Sequence, residues 1–82
     1  MTYRIHIPRS AIRAARDFGA MGDPFDDAIA AATGMKVVTY EDHVVLPDST
    51  RVPLSRSARR AISRYDWQRL DAPVRFQLTI EE

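Results

Sequence analysis

Six arginines and the single tryptophan fall between residues 51 and 69: Arg51, Arg56, Arg59, Arg60, Arg64, Trp67 and Arg69. A guanidinium is a rigid planar fork that holds carboxylate or phosphate in two parallel hydrogen bonds and stacks on aromatic rings. Arginine and tryptophan are also the side chains most enriched at the centres of protein interfaces. The chemistry on offer is therefore recognition of an anionic surface, with an aromatic anchor beside it. The competing reading is a solvated helix face, which needs no ligand. Trp67 has two readings of its own. A small domain needs its large side chains inside, so packing near Leu70 is expected, and an exposed anchor is the alternative.

The other candidate groups are sparser. Asp23, Asp26 and Asp27 resemble a metal-binding run, but the spacing is that of a helix start and no calcium-loop ligands follow. His6 and His43 lie far apart, and no nucleophile–base spacing surrounds either one. Gly19, Gly22 and Gly34 do not make a phosphate loop: Gly34 is a helix cap, and Gly19-Ala20-Met21-Gly22 lacks both a preceding strand and a following lysine. Cysteine is absent, which removes disulfides, thiolate metal sites and cysteine nucleophiles. The sequence thus points to a non-enzymatic chain with no metal and no cofactor.

The elements that position these groups follow from periodicity. Tyr3, Ile5 and Ile7 alternate with polar residues, the pattern of a half-buried strand. Ser10 is placed to cap a short helix over 11–18, closed by Gly19, with a loop at 19–22. Asp23 then caps a helix with Pro24 at its first position, an apolar stripe of Phe25, Ala28, Ile29 and Ala32, and Gly34 past its end. Strands are expected over 35–39, 43–46 and 51–53 as a meander, with turns at 41–42 and 47–50. Ser55 caps the last helix, with Leu54 as a hydrophobic staple. Leu54, Ala58, Ala61, Ile62 and Tyr65 share its apolar stripe. Arg56, Arg59, Arg60 and Ser63 fall opposite, joined by Trp67 if the helix runs that far. Val74, Phe76, Leu78 and Ile80 alternate as the closing strand. The expectation is one α+β domain over 1–82: a small, mostly antiparallel sheet of four to five strands with two main helices packed on one face.

Composition sets the bounds. The 82 residues contain 37 hydrophobic ones, but 11 of these are alanine, leaving enough bulk for one small core. No apolar run approaches the roughly 20 residues that span a bilayer, and the first residues lack a signal-peptide pattern. A soluble, cytoplasmic chain is expected, monomeric or weakly dimeric. The net charge is only +1, yet it is segregated: +4 over 1–16, −6 over 17–50, +5 over 51–75 and −2 at the end. Eleven of the twelve basic residues are arginine, a bias to which genomic base composition also contributes.

Several features together resemble a plan found among small uncharacterised tailed-phage proteins. They are Arg4-Ile5-His6-Ile7, the run from Asp23-Pro24-Phe25 to Ala30, Val52-Pro53-Leu54-Ser55, Arg64-Tyr65-Asp66, and Pro73-Val74-Arg75-Phe76-Gln77-Leu78. Two departures stand out: no cysteine precedes Pro24, and Trp67-Gln68-Arg69-Leu70 replaces a short glycine-containing link. The resemblance implies a phage accessory protein that binds a host protein complex. Anti-CRISPR proteins are a prominent class of that size, and steric occlusion of a CRISPR effector subunit is the implied mechanism. The alternative is a small nucleic-acid-binding or regulatory module with the last helix on phosphates, a reading weakened by the near-neutral total charge.

Overall fold

The computed structural model describes residues 1–18 and 23–81. The expected loop at 19–22 and the closure of the first helix by Gly19 lie outside the described residues. The elements run β1 (Thr2–Ile7), α1 (Arg9–Phe18), α2 (Pro24–Thr33), β2 (Val38–Thr39), β3 (His43–Val45), β4 (Arg51–Pro53), α3 (Arg56–Asp66) and β5 (Val74–Thr79). The class is α+β, with antiparallel pairing throughout.

The strands do not join in one sheet. β1 pairs with β5 as a two-stranded ribbon, and β2-β3-β4 form a separate three-stranded meander. The physical reason lies in β4. Its register with β3 turns the backbone of Thr50, Val52 and Leu54 toward β3, so Arg51 and Pro53 face the outer edge. Proline has no N–H to give at such an edge, so β4 offers β5 only part of a ladder there, while its pairing with β3 continues to Leu54. The meander is also shorter than expected. Of residues 35–39 only Val38 and Thr39 enter the ladder, although Val37 is buried in the core.

One core serves both sheets. Alternation places Ile5 and Ile7 of β1 and Val74, Phe76 and Leu78 of β5 inside, with Ile80 just beyond. Phe25 and Ile29 of α2 and Ala58, Ala61 and Ile62 of α3 pack into the same cluster with Leu54, Val52 and Leu70. A fully buried side chain of this size contributes about 1.5–3 kcal/mol. Tyr65 meets Phe25 edge-on at 5.8 Å, a favoured geometry for two ring quadrupoles. Ala32, expected on the buried stripe of α2, is exposed instead. The apolar face of that helix ends with Ile29.

The caps of α2 and α3 follow the residue chemistry. The Asp23 carboxylate accepts the N–H groups of Phe25 and Asp26, and Gly34 closes α2 in the left-handed region at φ 75°. Asp26 does more than favour the helix dipole: its carboxylate accepts the Thr39 N–H at 2.7 Å and ties α2 to β2. Ser55 accepts the Ala58 N–H at the start of α3. α1 begins earlier than expected, at Arg9, with the Pro8 carbonyl taking its first bonds and Ser10 inside the helix.

Candidate Arg–Trp binding face

α3 turns its apolar stripe into the core and leaves Arg56, Arg59, Arg60, Ser63 and Arg64 exposed. At about 1.5 Å per residue the row from Arg56 to Trp67 is about 16 Å long. Trp67 ends it as the C-cap, 74% exposed, so the core packing expected for it is overturned. Leu70 takes the buried position in its place.

The end of α3 explains this outcome. The Gln68 N–H reaches the Tyr65 carbonyl at 2.9 Å and the Arg69 N–H reaches the Arg64 carbonyl at 2.7 Å. These two bonds are a Schellman closure, which requires a left-handed residue after the cap. Glycine is usual there, but here Gln68 adopts φ 57°. The reversal sends the chain back to bury Leu70, and Trp67 remains outside.

Trp67 is the hinge of two shallow concavities. One, about 410 Å³, is lined by Glu41, Arg59, Ser63, Asp66 and Trp67. The other, about 310 Å³, is lined by Ser63, Arg64, Trp67 and Arg69. Trp67 thus has Arg59 on one side and Arg64 and Arg69 on the other. Arg56 and Arg60 extend the same face toward the helix start. Arg51 does not join them: it lines a separate groove between β4 and β5.

Among the described residues, none of Arg51, Arg56, Arg59, Arg60, Arg64 and Arg69 makes an ion pair. Asp71, in the segment between α3 and β5, does not compensate this face either. Arg9 and Arg13 both grip it, at 3.1 and 3.0 Å. These bonds hold the Asp71 carboxyl far below the usual carboxylate range.

The face has an acidic margin that sequence spacing did not bring to it. Glu41 arrives from the β2–β3 turn, and beside it Tyr40 lies exposed, stacked on His43 at 4.9 Å with 15° between the rings. His43 shares a 2.7 Å hydrogen bond with Asp42, which lowers the Asp42 carboxyl. On the inner side burial raises the carboxyl of Asp23, with Asp26 and Asp66 adding repulsion. Only the tertiary packing of α3 on the meander places Glu41 by Trp67.

Among the described residues no group of three or more His, Cys, Asp or Glu side chains could hold a metal ion. His6 is exposed on β1 and His43 is engaged with Tyr40 and Asp42. No helix among the described residues is long and apolar enough to cross a membrane. No protein-family model, no curated protein and no solved structure matches this chain.

Proposed function

We propose that this chain is a binding protein that covers an acidic protein surface with the exposed face of α3, using Trp67 as the anchor. The observation that carries the reading is the tryptophan: it stands 74% exposed in line with arginines that have no ionic partner among the described residues. Exposed aromatic and guanidinium groups in one row have the composition of an interface hot spot. Glu41 and Asp66 on the same concavity favour a partner with mixed charge, acidic opposite the arginines and basic or neutral beside Trp67. They oppose a phosphate backbone, which repels carboxylates along its whole length.

The resemblance to small phage proteins gives this reading its specific form. The chain would inhibit a host defence complex, such as a multisubunit CRISPR effector, by occluding one of its subunits. The test is to add the purified chain to such an effector and measure target-DNA binding, with duplex and single-stranded DNA alone as controls. The expected result is loss of effector activity with negligible direct DNA binding near physiological salt. Sub-micromolar DNA binding with a log–log salt slope steeper than about −3, meaning at least three phosphates contacted at about −0.9 each, would replace this reading with the nucleic-acid one.

A further inference from the structure

The groove that separates the two sheets is flanked by the unpaired hydrogen-bonding edges of β4 and β5. Its volume is about 560 Å³, with Arg51, Val52 and Leu54 on one wall and Gln77, Thr79 and Ile80 on the other. The register of the ribbon identifies the free groups. Met1 and Ile80 exchange both backbone hydrogen bonds, and Tyr3↔Leu78, Ile5↔Phe76 and Ile7↔Val74 lie in the same parity. The N–H and C=O groups of Arg75, Gln77 and Thr79 therefore point away from β1, and among the described residues no other strand meets them. Across the groove Arg51 offers an N–H and a C=O, and Pro53 a C=O only. An open edge of this kind is a template for an added strand.

We propose that an extended segment of a partner protein, alternating apolar and acidic residues, lies in this groove and pairs with β5. The two flanking strands dictate its side chains. Val52, Leu78 and Ile80 face the core, so an added strand meets apolar neighbours on that side. On the outer side the groove wall carries Arg51 opposite Gln77 and Thr79. Arg75 lies farther along β5, Arg4 and His6 lie on the next strand, and Glu81 is the one acid among the described residues of the lining, at one end. Acidic outward residues match that field, and lysines do not. This site is distinct from the α3 face, and it stands or falls separately.

The probe is a capped hexapeptide of alternating valine and glutamate, with a valine–lysine version as its charge control. A third version, N-methylated at alternate amides, cannot pair with an edge. Amide hydrogen exchange is read by NMR. In the free protein the Phe76 and Leu78 amides should be protected and those of Arg75, Gln77 and Thr79 should exchange rapidly. With the glutamate peptide at ten times its dissociation constant, the latter three should slow by about tenfold. The lysine and N-methylated peptides should leave them unchanged. Gln77→Pro removes an outward N–H and no ladder bond, so it should fold and lose the peptide. Should that variant fail to fold, the N-methylated peptide tests the same bond from the other side. Three outcomes overturn the proposal: protection of these amides in the free protein, equal binding of the lysine peptide, or glutamate-peptide shifts confined to the α3 arginines.

Discussion

α1 and α3 are both arginine-rich, and the fold uses them in opposite ways. On α1, Arg9 and Arg13 hold Asp71, while Arg16 pairs with Asp17 and donates to the Leu70 carbonyl. All three are consumed in fastening the helix to the segment that leads into β5. On α3, Arg56, Arg59, Arg60 and Arg64 fasten nothing within the described residues. Arginine content therefore does not distinguish a structural clamp from a contact face. What does is whether an acid from elsewhere in the chain comes within reach.

Charge reversal tests that contrast most strongly. Arg59→Glu with Arg60→Glu should change stability by within about ±0.5 kcal/mol, as exposed substitutions usually do. At the partner interface the same change sets like charges face to face, at a cost of several kcal/mol. Arg9→Glu with Arg13→Glu should do the reverse, crowding carboxylates around Asp71 and loosening α1 while sparing binding in the folded fraction. Melting curves and a binding titration on both variants settle the matter. Equal effects on binding would erase the distinction between the two helices.

The carboxylates can be sorted in the same way, with a smaller effect. Asp23 is committed to the fold as the cap of α2, so Asp23→Ala should lower stability by about 0.5–2 kcal/mol. Asp23→Asn keeps an acceptor and should lose much less. Burial raises the Asp23 carboxyl, so its ionisation opposes folding. Its contribution is fully present below the ordinary carboxylate value, near pH 4, and is lost as pH rises through the raised value. Asp23→Asn should accordingly be better tolerated at pH 7 than at pH 4 in parallel melts. A larger loss at neutral pH would contradict the burial argument.

Asp71 gives the smallest effect, because its bridges are open to water and screened. Its carboxyl is depressed, so it stabilises the fold above the ordinary carboxylate range and loses that contribution as pH falls below it. Asp42 and Asp48 are shifted in the same direction, by His43 and by Thr50. Asp71→Asn should flatten part of the acid limb of the stability curve and speed amide exchange in α1, with little change in melting at neutral pH. Unchanged α1 exchange would mean the clamp holds nothing.

Much of the fold was legible because its signals are local. Asp23-Pro24 and Ser55 announce helix starts, Gly34 a helix end, and the 74–80 alternation a half-buried strand. The Arg face of α3 followed from the same about 3.6-residue period that placed Ala58 and Ile62 inside. The misses are long-range or depend on a rare backbone state. Nothing near Asp71 in sequence says that Arg9 and Arg13 will reach it from α1. Glu41 joins Trp67 only through packing. The division into two sheets turns on which side of β4 Pro53 faces, a matter of register. The exposure of Trp67 depends on a left-handed conformation at a glutamine, a residue type with no preference for it.

That left-handed glutamine also governs how freely the tryptophan moves. Holding an L-residue there costs roughly 1–2 kcal/mol, which the two closing hydrogen bonds and the burial of Leu70 must offset. In return the turn has few escape routes. A glycine could slide into the mirror-image extended region that a side chain at position 68 forbids, and the two closing hydrogen bonds hold the glutamine out of its ordinary helical and extended basins. The indole is therefore carried on a stiff pedestal, and less freedom remains to be surrendered when it meets another surface.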